Sequence, residues 1–201
     1  MRNSILNVFA MLLLSISVSA AEMNGNDLAK AFNSALNEAS VEVDVDSIIA
    51  WESSVEDHEV EVKFLNEQDL HLTYGCHYHG QAMACHEEHQ DHGHEHKSLT
   101  SGFTYVQSAH QAAVEKFSKT LTRKGANFSA VDNLKVWIDG GDHDHDHKLS
   151  DDHGEGADVW SKFNYSLNGT DATIFVLCHT HGHEAEFSCH YNRAGEGEPN
   201  L

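Results

Sequence analysis

The sequence predicts an α+β fold made by tandem duplication, each repeat one N-terminal helix packed on an antiparallel sheet of about four strands. Three observations predict it. Cys76-His77-Tyr78-His79-Gly80 returns as Cys178-His179-Thr180-His181-Gly182, and each copy is followed by a Cys-His pair, Cys85-His86 and Cys189-His190. Leu65-Asn66 with Asp69 recurs as Leu167-Asn168 with Asp171, and Val45-Asp46 with Trp51 as Val131-Asp132 with Trp137. In both copies a stretch of helical apolar spacing precedes stretches of strict alternation.

Residues 1–20 read as a signal peptide, with Arg2 as the charged start, Ile5 to Val18 as the apolar run and Val18-Ser19-Ala20 as the cleavage site. That run is too short to span a bilayer, so no membrane insertion is expected after cleavage. The first repeat occupies 24–88. Asn26 or Asp27 is placed to cap a helix reaching about Ala39, whose apolar face is Leu28, Ala31, Phe32, Ala35, Leu36 and Ala39. The alternating Val41 to Asp46 leads into a strand ending near Glu52, and His58 to Leu65 forms the next.

The third strand, Leu70 to His79, carries two unlike faces. Leu72, Tyr74, Cys76 and Tyr78 point one way; His71, Thr73, Gly75, His77 and His79 point the other. If Cys76 faces Cys85 on the returning strand, His79 pairs with Ala82 and only Gly80-Gln81 remain as the loop. A glycine at the first loop position is what a type II′ turn requires. In that register His86 lies opposite Gly75, diagonal to His77.

A His-rich linker, 89–103, holds His89, His92, His94 and His96. The second repeat spans 104–192 and opens on Ser108-x-x-Gln111, which reads as a capping box before a helix through Ala113, Phe117 and Leu121. Its first strand ends near Asp139. The insertion 140–156 carries His143, His145, His147 and His153 among acids and is expected to be a mobile loop. Strands resume at Val159 to Leu167 and Asp171 to His181, joined through Asn168-Gly169, and 193–201 is read as a flexible tail. This order of a helix followed by strands resembles the cystatin-like arrangement, a resemblance of element order that implies no site residues.

The formal net charge of -20 makes nucleic acid and anionic lipid poor partners and suits cations. Four cysteines in an exported chain predict two disulfides, Cys76–Cys85 and Cys178–Cys189; neither spacing is that of a zinc finger. The expected location is periplasmic or secreted. Histidine is the unusual component: there are 18, none of them in the signal.

Applied to the second hairpin, the same pairing sets His179 opposite Ser188, His181 opposite Glu186 and His190 opposite Leu177, all on one face. His179, His181, His190 and Glu186 thus make a candidate zinc set of three imidazoles and a carboxylate. The first hairpin offers His77, His79 and His86, with alanines where the carboxylate would be, and His71 as a weaker addition. The Asp/His runs are weaker, mobile ligands. Imidazole with carboxylate suits Zn(II) first, with Cu(II) and Ni(II) next. The function read from these residues is an exported, non-enzymatic metal buffer or chaperone serving a transporter or acceptor protein. Two alternatives use the same residues: a cystatin-like interaction or inhibitor module with incidental histidines, and a metal-dependent hydrolase. Ser188 beside His179 has no orienting acid in the sequence pattern, so nucleophilic catalysis has no assembled triad.

Overall fold

The computed structural model describes residues 22–41, 43–56, 58–68, 70–91, 102–139, 157–181 and 186–201. The expected signal, the linker histidines His92, His94 and His96, and the whole insertion with His143, His145, His147 and His153 lie outside the described residues.

Helix α1 runs Gly25–Ala39, and its cap is Asn24 rather than Asn26 or Asp27. Asn24 accepts from the Asn26 amide at 3.0 Å, and Asp27 reaches back to the Asn24 amide at 3.2 Å, closing a capping box. The alternating segment after it is not a strand. It ends in a 3-10 turn, Val45–Ser47, where the Asp44 carboxylate takes the Asp46 amide and diverts the backbone from extended pairing. Strands β1 (Ile48–Glu56), β2 (Glu59–Asn66), β3 (His71–His79) and β4 (Ala82–Asp91) follow. Strand β4 thus extends past the expected repeat boundary and includes His89.

Helix α2 is Phe103–Arg123, beginning ahead of the predicted capping box; Ser108 lies inside it and donates to the Thr104 carbonyl at 2.8 Å. Phe103, Val106, Ala109, Ala113, Phe117 and Leu121 form its buried stripe. Then come β5 (Val131–Ile138), β6 (Val159–Leu167), β7 (Thr170–Thr180) and β8 (Phe187–Asn192). Asn168 and Gly169 join β6 to β7 with φ of 54° and 73°, the left-handed pair of a type I′ turn.

Two repeats with a four-stranded sheet each are not what forms. All eight strands make one antiparallel sheet in the order β4-β3-β2-β1-β5-β6-β7-β8. The junction is β1 against β5, with Trp51 opposite Val136 and Ser53 opposite Leu134. A separate sheet in each half would leave the β1 and β5 backbones as open edges; pairing them satisfies both. It also merges two small cores into one that runs from Leu28 and Phe32 of α1 through Trp51 and Val136 to Phe117 of α2. A β-carbon on Gly25 would overlap the carbonyls of Phe128 and Val131, so α1 is held close against the chain entering β5.

Both helices cover the same face of the sheet. The other face carries a smaller cluster of Ala50, Leu65, Trp137 and Trp160, joined by Phe175, Leu177 and Leu201. Trp137 and Trp160 stack with centroids 6.2 Å apart. The segment after β8 lies across this face. The Trp137 indole donates to the Glu196 carbonyl at 2.7 Å, and Glu198 pairs with Lys162 at 2.8 Å.

His110 occupies the apolar side of α2, its Nδ1 3.0 Å from the Ser161 hydroxyl and its ring edge-on to Trp51. Burial lowers its pKa from 6.5 to about 4. An unfolded chain therefore binds a proton at this position before the native chain does. The neutral ring's contribution is complete above about pH 6.5 and is lost as pH falls toward about 4, at most about 3 kcal/mol. Urea unfolding of wild type and His110→Gln across that window should show a steeper loss of stability in wild type; parallel profiles would contradict the assignment.

Candidate metal centre

The two hairpins at the sheet edges position the histidines through alternation and cross-strand bonds. Cys76–Cys85 and Cys178–Cys189 are disulfides between residues directly opposite each other. Cys76, Cys85 and Cys178 are buried on the helix-covered face, so their strand neighbours point to the open one. The rest of the first register follows: His79 opposite Ala82, His77 opposite Ala84 and His86 opposite Gly75. Gly80, with φ 68°, begins the two-residue turn. In the second hairpin His179 stands opposite Ser188 and His190 opposite Leu177.

A tyrosine beside the histidines ties each hairpin back to its helix. Tyr78 lies between His77 and His79 in sequence; its hydroxyl donates to Asp27 at 2.8 Å and accepts from Lys30 at 2.6 Å. Burial works to raise the Asp27 pKa, but the hydrogen bonds from Tyr78, Lys30 and the Asn24 amide outweigh it and hold the carboxyl below its usual value. Tyr191, next to His190, donates to the Lys116 carbonyl at 3.0 Å and meets Thr120 at 2.6 Å. The two lysines also sit over the two tyrosine rings, at 5.3 and 5.1 Å.

On the open face the imidazoles converge twice. The ligand nitrogens of His77, His79 and His86 lie within 4.8 Å of one another, and so do those of His179, His181 and His190. In the first group the Nε2 atoms of His77 and His79 are 3.0 Å apart. In the second, ring centroids are 4.6 Å apart for His179–His181 and 5.6 Å for His179–His190. Three nitrogens around a tetrahedral zinc are separated by about 3.4 Å, so each group needs only side-chain rotation to reach that geometry. Both groups could hold a metal.

His179 is the most constrained of the six. Its Nδ1 meets Asp158 Oδ1 at 2.9 Å, and a carboxylate can only accept, so the ring carries its proton on Nδ1. Nε2 is then the nitrogen with a free lone pair. That nitrogen is buried and, among the described residues, has no hydrogen-bond partner. A buried polar atom in that condition costs free energy unless something occupies it. His190 Nε2 meets the Ser188 hydroxyl at 3.0 Å, so the expected position of Ser188 beside the cluster serves His190 rather than His179.

The remaining predicted residues fall differently. Glu186 is exposed just before β8 and is not grouped with the three imidazoles. His71 begins β3, about 20 Å along the strand from His77, out of reach of the first cluster. His89 pairs in β4 opposite Thr73. Asp158 was not a candidate in the sequence. Its position just after the insertion hides its role, which depends on His179, 21 residues later on β7.

Known protein families, curated proteins and solved structures contain no significant match to this chain. The hairpin geometry therefore carries the functional reading.

If Asp158 orients His179 toward a bound ion, Asp158→Ala should weaken zinc binding at the second cluster by about 10–100-fold, with Asp158→Asn in between. The first cluster is the internal control. Chelator-competition titrations that find the second cluster unaltered would rule the orienting role out.

Proposed function

We propose that this is an exported metal-binding protein that holds divalent transition metal ions, zinc foremost, on its two edge hairpins and passes them to an acceptor. The observation that carries the reading is the His179 ring: one nitrogen is engaged by Asp158, the other is buried without a partner among the described residues, and the ring is grouped with two further imidazoles. Three imidazoles leave a fourth position on a tetrahedral ion for water or for an acceptor's ligand. His79, His86, His181 and His190 are exposed, which favours exchange over permanent retention. Cu(II) and Ni(II) suit the same donors.

Export is supported by the signal-like residues 1–20 and by two disulfides, which persist in oxidising compartments. Among the described residues no helix is long and apolar enough to cross a membrane. The Asp/His-rich 140–156 leaves the sheet at Asp139 and rejoins it at Asp158, where the Asp139 amide donates to the Asp158 carbonyl at 2.9 Å. Both flanking residues, Asp139 and Asp158, therefore adjoin the second cluster, and the histidines of the segment count as weaker ligands. Buffering or delivery accounts for these features without catalysis.

The test is metal content after dialysis against a weak chelator, for wild type, a variant lacking 141–154, and His179→Ala/His181→Ala. Wild type and the deletion variant should each retain two zinc ions per chain and the double variant one. Retention should fall as pH drops below about 6.5, because protons compete for imidazole nitrogen. A wild type that retains no zinc, copper or nickel would sink the reading. Loss of all metal in the deletion variant alone would transfer binding from the hairpins to the loop.

A further inference from the structure

The first cluster lacks the carboxylate that imidazole sites commonly include, since His77 and His79 face Ala84 and Ala82. Two carboxylates from the flanking strands, not grouped with the imidazoles as they stand, lie over the neighbouring Gly75. Gly75 is buried in β3, directly opposite His86 and on the same face as His77, the next outward-facing residue. A β-carbon built on Gly75 would lie 3.2 Å from Cδ of Glu88 and 3.3 Å from Oε2 of Glu59. The missing side chain is what lets these two acids meet over the strand.

Each acid has a structural reason to be there. Glu59 opens β2, and the pairing of Val60 with Cys76 continues to set it opposite His77. Glu88 sits at a β-bulge: Tyr74 pairs with Glu87 and Thr73 with His89, leaving Glu88 without a cross-strand partner. Among the described residues neither carboxylate has a lysine or arginine partner. Both carboxylates therefore lie over Gly75, on the sheet face that carries the three imidazoles. A divalent cation between them would be attracted by both.

We infer that Glu88, with Glu59 beside it, completes the first site, so that a divalent ion there is held by His77, His79, His86 and the Glu88 carboxylate. This rests on the metal-binding reading of the hairpins and extends it. The two sites then differ in kind. The first supplies an anionic ligand directly to the ion; the second supplies three neutral ligands, with its carboxylate, Asp158, behind His179. Gly75 becomes a functional position. Alanine is ordinarily tolerated better than glycine within a strand, but here its methyl group would displace Glu88.

The experiment uses the full mature chain carrying His179→Ala/His181→Ala, so that zinc titration against a chromogenic chelator reads the first site. Glu88→Gln should lower zinc affinity by more than about 10-fold, and the Glu59→Gln/Glu88→Gln pair further. Gly75→Ala should lower affinity while leaving the melting temperature of the metal-free protein unchanged or raised. Unchanged affinity in Glu88→Gln and in the double glutamine variant would overturn the inference. His86→Ala in the same background separates the two readings. If it abolishes binding while the glutamine variants do not, only the carboxylate inference falls; if it too has no effect, imidazole binding at this hairpin falls with it.

Discussion

The two cross-strand disulfides govern which face of the sheet the paired hairpin imidazoles occupy. A strand has a side-chain period of two, so a slip of one residue between β3 and β4 would move His86 to the helix-covered face. Joining Cys76 to Cys85, and Cys178 to Cys189, excludes that slip within each hairpin. The loops closed are short, with sequence separations of 9 and 11, which corresponds to about 2–3 kcal/mol each in the chain-entropy treatment. Their positional effect matters more. Covalent closure on the buried face is coupled to imidazole convergence on the open face, and Tyr78 and Tyr191 reinforce it by tying the same hairpins to the helices.

How much could be read in advance depended on the kind of force involved. The Cys-His register was legible because it follows from side-chain alternation and one covalent assumption, and the strand pairs Cys76–Cys85, His79–Ala82 and Leu177–His190 match that reasoning. The union of β1 with β5 was not legible. It is made by backbone amides and carbonyls that every sequence possesses, and the repeated motifs directed attention to each half separately. The helix starts were misplaced for a related reason. Asn24, Asn26, Asp27 and Ser108 all have capping chemistry, and only the tertiary position of the chain selects among them.

Residues that act from a distant strand were the hardest to find. Asp158, Glu59 and Glu88 are ordinary acids in a very acidic chain, and nothing local separates them from their neighbours. His110 did leave a trace. It falls between Val106 and Ala113 on the apolar stripe of α2, a position where a polar residue departs from the pattern. Reading it only as one of 18 histidines hides that its ring packs against those of Trp51 and Phe163.

The continuous sheet also decides how the two clusters can influence each other. They sit on the first and last strand pairs of an eight-stranded sheet, six strand spacings apart, which is about 29 Å. At physiological ionic strength charge is screened within about 8 Å, so an ion on one hairpin is electrostatically invisible to an ion on the other. Nor is a single ligand set able to bridge that span. If both hairpins hold ions, their occupancies should follow independent, non-cooperative isotherms, and the response would spread over a metal concentration range as wide as the difference between the two affinities.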